Sequence, residues 1–228
     1  MSVWQRLRTL VGRMREQGPR PALQLAVHRA YSAWCERRLG VDTAAFEPTL
    51  ADEGLLDTDF HGYSASSCLD LDRVLARVTP RPQDEVLIDF GSGLGRVVLM
   101  AARRPFRRVI GVEISPRQVE QARRNLERAR PRLACRDVEL ICANAAEYVM
   151  PDDVTVVYLF NPFGGEVLRG VIRGIRRSLA ARPRRVRIVV ATARRFDEEV
   201  AGQDWIVRRG VLHGLREHVI YETTGVTA

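Results

Sequence analysis

An acidic residue and three alternate glycines form the clearest group of residues that could bind a ligand. In the segment VLIDFGSGLGRVVLMAA (86–102), Asp89 stands near the end of an apolar run, and Gly91, Gly93 and Gly95 follow it. Glycine lets the backbone turn sharply from a strand into a helix, and it lets a ligand approach without meeting a Cβ atom. The first turn of the following helix points its unpaired N–H groups toward such a ligand. The segment therefore predicts a binding loop for a nucleotide-like molecule.

A second acidic residue stands one predicted strand further along the chain. Glu113 lies near the end of the apolar run RVIGVEI (108–114), twenty residues after Gly93. A carboxylate at the end of the neighbouring strand can accept hydrogen bonds from both hydroxyls of a ribose. Taken alone, Glu113 could equally be a solvated strand-end acid. Together with the glycine loop, it favours a nucleoside ligand.

The spacing of the glycines separates two classes of nucleotide-binding loop. A dinucleotide-binding loop has the pattern G-x-G-x-x-G, and Arg96 stands where its third glycine would be. The string DFGSGLG (89–95) instead resembles motif I of the class I S-adenosylmethionine (SAM)-dependent methyltransferases, D/E-x-G-x-G-x-G, at every fixed position. The resemblance covers about residues 81–228 and implies that SAM is the cofactor. It also implies in-line transfer of the methyl group to an acceptor that the sequence does not identify.

The resemblance extends to the segment ICANAAEY (141–148), which ends the third predicted strand. In the family, an Asp or Asn at this place is followed by a small residue that contacts the adenine ring, and Asn144 and Ala145 match this pattern. The alternative is that Asn144 simply caps a helix. The cofactor site that the resemblance implies consists of Asp89, Gly91, Ser92, Gly93, Gly95, Glu113, Asn144 and Ala145.

The fourth predicted strand ends in YLFNPFGGEV (158–167). Here Asn161-Pro162-Phe163 resembles motif IV of the amino-group methyltransferases, which has Asp or Asn, two prolines and an aromatic residue, although one proline is missing. The string is also similar to the matching segment of the non-SET histone lysine methyltransferases. The resemblance implies that Asn161 orients the target nitrogen and that Phe163 stacks on the acceptor. The alternative is a simple turn from strand to helix.

From residue 81 onward, short β-branched runs alternate with amphipathic helical segments, which is typical of a mainly parallel sheet covered on both faces. Ser115 and Pro116 are predicted to begin one such helix, as N-cap and first helical residue. Seven strands are predicted, at 85–90, 108–114, 138–144, 154–160, 185–193, 205–211 and 217–224. We therefore expect an α/β fold with a doubly wound, seven-stranded, mainly parallel sheet closed by an antiparallel pair, and the family resemblance implies that the last strand is antiparallel.

Residues 1–80 differ in pattern and are predicted to form an N-terminal helical extension before the SAM-binding domain of residues 81–228. The segment VWQRLRTLVGRM (3–14) predicts a first helix, and a third is predicted at about 68–78, ending before Pro80. The apolar stripe that predicts the second helix consists of Leu23, Val27, Ala30, Tyr31 and Trp34. Because the core has no insertion that could enclose an acceptor, the extension is expected to act as a lid.

The chain has a formal charge of +8, and all 36 of its lysine-plus-arginine residues are arginine. This uniformity favours a compositional bias with an arginine-coated surface, so a nucleic-acid or anionic-membrane partner is left open but not favoured. The four cysteines form no CxxC pair and predict reduced thiols in a cytoplasmic protein without a metal site. Two alternatives to an enzyme of this family remain: a SAM- or nucleotide-binding module without catalysis, and a basic peripheral membrane or nucleic-acid adaptor. An oxidoreductase with an unusual loop is a further alternative.

Overall fold

The computed structural model describes residues 19–44, 64–160 and 163–225. Its main element is a seven-stranded sheet, and every strand overlaps one of the runs predicted from the sequence. The strands are β1 (Val86–Phe90), β2 (Arg108–Glu113), β3 (Val138–Cys142), β4 (Val156–Phe160), β5 (Arg187–Ala191), β6 (Ile206–Leu212) and β7 (His218–Thr223). All five residues of β1 are buried, as expected for a central strand covered on both faces.

The order of the strands is β3-β2-β1-β4-β5-β7-β6. Strands β1 to β5 are parallel, whereas β7 runs antiparallel to both β5 and β6. The predicted mainly parallel sheet with an antiparallel last strand is therefore confirmed. The strand order reverses direction at β1, which pairs with β2 on one side and with β4 on the other. In open α/β sheets, ligands bind beyond the carboxyl ends of the strands at such a reversal.

The described helices are α1 (Pro19–Leu39), α2 (Cys68–Val78), α3 (Arg96–Ala102), α4 (Pro116–Ala129), α5 (Gly165–Ala181) and α6 (Arg194–Val200). The predicted start of α4 is confirmed, because the Ser115 side chain accepts a hydrogen bond from the Gln118 N–H and Pro116 is the first helical residue. Helix α2 ends before Pro80, as predicted. No helix within the described ranges is long and apolar enough to cross a bilayer.

Two hydrophobic clusters cover the two faces of the sheet. One contains Val171 of α5 and Phe196 of α6. The other contains Leu71 of α2, Leu99 of α3 and Leu126 of α4, and it also includes Cys35 and Leu39 of α1. The N-terminal helices α1 and α2 thus share a core with the sheet. The division into residues 1–80 and 81–228 stays a prediction.

The prediction that α1 packs through its apolar stripe is wrong. Leu23, Val27 and Trp34 are 65%, 48% and 43% exposed. The buried face instead carries Leu39 and four residues that are small or polar: Ala22, His28, Ser32 and Cys35. The reason is hydrogen bonding: His28 Nδ1 lies 2.7 Å from Ser67 Oγ, and Ser32 Oγ accepts from the backbone N–H of Cys68. The predicted first helix, at 3–14, lies outside the described residues.

Candidate functional site

The glycine loop connects β1 to α3 at the carboxyl edge of the sheet. Gly91, Gly93 and Gly95 all have positive φ angles, of 78°, 53° and 83°, a region that residues with a Cβ atom rarely adopt. The N–H groups of Gly91 and Ser92 both donate to the Val112 carbonyl of β2, at 2.8 and 3.0 Å. The alternate glycines are therefore required by the backbone conformation itself, which draws the loop against the neighbouring strand.

Glu113, the last residue of β2, holds this loop in place. Its Oε2 accepts a hydrogen bond from the Gly93 N–H at 2.9 Å, and its Oε1 accepts from the Ser115 N–H at 3.0 Å. The side chain is buried, and both contacts favour a charged carboxylate. The contact of Glu113 with the ribose stays a prediction.

Asp89 lies beside this edge, next to last in β1, and is 2% exposed. Its Oδ2 has no hydrogen-bond partner among the described residues. Burial, with a smaller contribution from the Glu113 charge, raises the pKa of Asp89 well above its ordinary value. A buried and unpartnered carboxyl oxygen is costly, and ligand binding is one common reason for retaining it. A ligand carrying positive charge fits this position, and SAM has both a sulfonium and an α-ammonium group.

Asn144 forms the turn that follows β3. Its Oδ1 accepts from the Ala146 N–H at 3.0 Å, and its Nδ2 donates to Glu147 Oε1 at 3.2 Å. The sequence left open that Asn144 caps a helix, but a turn follows it and no helix begins there. The adenine contact stays a prediction. Ala145 is buried in the cluster with α5. Ser92 is buried too, and a Cβ atom added at Gly111 would lie 2.9 Å from its Oγ.

The carboxyl end of β4 leads into the segment predicted to meet the acceptor. Asn161 and Pro162 lie outside the described residues. Phe163 is 4% exposed and packs in the hydrophobic cluster with α5, so its ring is mostly covered by the core. Phe160, the last residue of β4, is half-buried, and the Arg216 guanidinium lies 5.4 Å from its ring centroid. The catalytic roles of Asn161 and Phe163 stay predictions.

A buried polar chain runs beneath this edge and was not predicted from the sequence. Tyr158 of β4 has its hydroxyl 3.1 Å from His218 Nε2 and 3.3 Å from Ser66 Oγ. His218 Nδ1 lies 3.2 Å from the Arg216 carbonyl, which can only accept. Nδ1 therefore carries the proton, and Nε2 accepts from Tyr158. The spacing of these residues in the sequence gives no signal of this contact, because it joins three distant segments.

Arg96, which the sequence marked only as a departure from the dinucleotide pattern, is a second residue missed. It begins α3 and is buried with the six apolar residues that follow it, RVVLMAA. Its guanidinium donates to Glu36, Thr43 and Ser66. An arginine within a wholly apolar helix is the signal that could have revealed it, because such a charge must find partners when buried.

Comparison with known proteins places this arrangement in a family. Residues 87–181 match a family described as a methyltransferase domain. A search of curated protein sequences finds no significant match. Among solved structures, a putative RNA methyltransferase from Pyrococcus horikoshii is 15% identical, with a TM-score of 0.58 over 82% of this chain and 95% of that chain.

Two further solved structures share the fold. A precorrin 8W decarboxylase from Methanobacterium thermoautotrophicum is 22% identical, with a TM-score of 0.52 over 70% of this chain and 91% of that one. A putative methylase from Haemophilus influenzae is 15% identical, with a TM-score of 0.50 over 68% and 88%. The family match includes Asp89 of β1, the glycine loop, Glu113 of β2, and Asn144 in the turn after β3. The chain thus contains a methyltransferase domain over residues 87–181, and it shares its fold with the solved structures above.

Proposed function

We propose that this enzyme methylates a nitrogen atom of its acceptor at the carboxyl end of β4. The observation that carries the proposal is the pairing of β4 with β1, in which Phe90 lies opposite Leu159. The carboxyl end of β4 therefore lies beside the end of β1, where the glycine loop begins. In the sequence, β4 is followed by the segment after Phe160. It contains Asn161 and Phe163, the residue types that motif IV enzymes use to hold a nitrogen. Donor and acceptor would meet at this single edge of the sheet.

When bound, SAM supplies a methyl group that its positive sulfonium already activates. The task of the chain is then positioning and exclusion of water. In the proposal, the Asn161 side-chain oxygen accepts a hydrogen bond from the target nitrogen and so directs its lone pair. Phe163 borders the acceptor, while Glu113 fixes the donor loop through the N–H groups of Gly93 and Ser115.

Tyr158 and His218, which lie beneath this edge, have no role as a base in the proposal. Burial raises the pKa of Tyr158 and lowers the pKa of His218, so the tyrosine keeps its proton and the histidine stays neutral at pH 7. Both side chains are also almost fully covered. We therefore favour an acceptor nitrogen that offers a lone pair without losing a proton first, such as an amine in its neutral form.

The arginine-rich surface of α5 has no role in the proposed reaction. On α5, Arg169 contacts Glu166 at 2.8 Å and Glu199 at 3.0 Å, and Arg173 lies 3.6 Å from Glu166. These arginines already have acidic partners, which supports a solvated surface. A nucleic-acid or membrane partner is accordingly not proposed. We do propose that the protein acts in the cytoplasm, because its four cysteines are free thiols and three of them are buried.

The acceptor class can be identified by incubating the protein with methyl-labelled SAM and fractionated cell extract. Label in protein, nucleic acid or small molecules, followed by hydrolysis and mass spectrometry of the product, identifies the methylated atom. Methylation of oxygen or carbon, with no labelled nitrogen, would refute the proposal. The Asn161→Ala variant is the matched control for label that enters non-enzymatically.

A further inference from the structure

Arg96 binds three separate segments of the N-terminal part of the chain. Its Nε donates to Thr43 Oγ1 at 2.7 Å, its Nη1 donates to the Ser66 carbonyl at 2.9 Å, and its Nη2 donates to Glu36 Oε1 at 2.8 Å. The residue is 8% exposed. A buried guanidinium is tolerated when its N–H groups all find hydrogen-bond acceptors. Here the acceptors come from the end of α1, the segment after it, and the segment before α2.

Glu36 and Thr43 are themselves joined, which makes this a network. Glu36 Oε1 accepts from both the backbone N–H and the hydroxyl of Thr43, each at 2.8 Å. The Thr43 hydroxyl therefore accepts from Arg96 and donates to Glu36. Removing that hydroxyl would break two contacts of the network without removing a charge.

A second buried side chain connects the glycine loop to the same N-terminal segment. Asn125 of α4 is fully buried, and its Nδ2 donates to the Leu94 carbonyl at 3.2 Å and to the Asp42 carbonyl at 2.9 Å. Leu94 lies between the second and third glycines of the loop. The segment around residues 42–43 is thus hydrogen-bonded to the glycine loop through Asn125. It is also hydrogen-bonded to α3, because Arg96 is the first residue of that helix.

The third partner of Arg96 connects it with the donor edge. Ser66 accepts from Arg96 through its carbonyl, and its Oγ lies 3.3 Å from the Tyr158 hydroxyl. In the sheet, Tyr158 pairs with Asp89, whose buried carboxyl oxygen lacks a partner among the described residues. Arg96 therefore holds the segment before α2 close to the strand pair that carries Asp89.

We propose that Arg96 is a positioning residue that couples the N-terminal segments to the binding of SAM. It holds residues 36–43 and the segment before α2 against the glycine loop, so that ordering of the loop and anchoring of these segments form one equilibrium. A ligand that binds the ordered loop then stabilises the anchored segments, and by linkage the anchored segments strengthen ligand binding. The inference rests on the binding of SAM at this loop.

Two variants and a matched control test the coupling. Arg96→Lys keeps the charge but loses the planar fork, and Thr43→Val removes only the shared hydroxyl. Arg104→Gln is the control, because Arg104 also binds the N-terminal part, through the Asp72 carbonyl at 3.0 Å, but lies just beyond the opposite end of α3 from the loop. The readouts are the Kd of SAM by calorimetry and amide hydrogen exchange of the protein without ligand.

We expect Arg96→Lys and Thr43→Val to raise the Kd of SAM about tenfold, within the roughly 5- to 150-fold range of coupling between sites. In the absence of SAM, amides of residues 91–95 should exchange faster in both variants, and Arg104→Gln should change neither measurement. If Thr43→Val is folded and keeps the wild-type Kd and exchange pattern, Arg96 has only a structural role and the proposal is overturned. A wild-type protein that binds no SAM would instead contradict the family assignment, and the exchange measurement would still decide the coupling.

Discussion

The Glu113 carboxylate accepts a hydrogen bond from the Gly93 N–H at 2.9 Å, and this contact joins the end of β2 to the middle of the glycine loop. The two residues are twenty positions apart in the chain, and both are buried. The acid predicted to bind the ribose therefore also sets the shape of the loop. A substitution at Glu113 should act on both the ligand contact and the loop.

Glu113→Ala should weaken SAM binding by about 1.5–3 kcal/mol, the usual worth of hydrogen bonds to a charged group. Calorimetry measures this difference directly. Glu139→Ala is the matched control, because Glu139 lies within β3 and pairs with Arg108 away from the loop. Unchanged SAM affinity in a folded Glu113→Ala protein would show that the ribose assignment is wrong.

Asp89→Asn should stabilise the protein without ligand at neutral pH while weakening SAM. The folded-state pKa of Asp89 is raised, so above the unfolded pKa of about 3.9 the folded protein binds more protons than the unfolded chain. Stability is then lost as pH rises from the unfolded toward the folded pKa. Thermal melts should show a higher Tm for Asp89→Asn at pH 7 and convergence with the wild type near pH 4. A lower Tm for the variant at pH 7 would contradict the claim that the buried Asp89 carboxyl lacks a hydrogen-bond partner and destabilises the protein without ligand.

SAM binding should also release a proton at a pH below the raised pKa of Asp89, because the positive ligand favours the ionised carboxyl. Calorimetry in two buffers of different ionisation enthalpy detects this release as a difference in apparent binding enthalpy. Asp89→Asn is the control, since it has no proton to lose. Equal enthalpies in the two buffers for the wild type would mean that Asp89 does not respond to the ligand.

The glycine loop allows backbone strain to be separated from ligand contact. Gly93→Ala should lose about 1–3 kcal/mol of stability, the cost of the left-handed region for other residues, and should also weaken SAM. Gly202 has a similar φ of 73° and no heavy atom within 4 Å of an added Cβ. Gly202→Ala should therefore lose comparable stability in denaturant melts but keep the SAM affinity. Equal SAM affinity in the two variants would remove Gly93 from the donor site.

The strands and the glycine loop could be predicted because their signals are local. Each strand is a contiguous β-branched run, and the conformation of the loop depends on three glycines within five residues. The burial of Arg96 and the orphaned oxygen of Asp89 depend on residues brought from elsewhere by the fold. The buried face of α1 was misread for the same reason: apolar spacing favoured Leu23 and Trp34, but His28 and Ser32 bind the segment before α2 and turn the opposite face inward.

Asn161 and Phe163 should respond differently to truncation. Asn161→Ala should cut methyl transfer while leaving SAM affinity near the wild-type value, because the residue is assigned to the acceptor. Phe163→Ala should lose about 3–5 kcal/mol of stability, since its ring is buried in the core. Turnover and SAM binding are to be measured for both, with urea melts of Phe163→Ala. Normal turnover in Asn161→Ala would show that the motif IV segment is only a turn from strand to helix and has no catalytic role.

Deleting residues 1–40 should destabilise the whole domain, in contrast to a lid that could be removed from a self-sufficient core. The deletion removes Cys35 and Leu39 from the hydrophobic cluster of the sheet, and it removes the Glu36 carboxylate from buried Arg96. Loss of one partner of a buried ion pair alone costs about 3–5 kcal/mol, a large part of the stability of an ordinary domain.

Deletion of residues 1–18 removes none of these contacts and is the matched control. Circular dichroism melts should show a large fall in Tm for the longer deletion and a small change for the shorter one. A fragment of residues 41–228 that melts like the full chain would show that α1 is dispensable to the core, and that the Arg96 network can be satisfied without it.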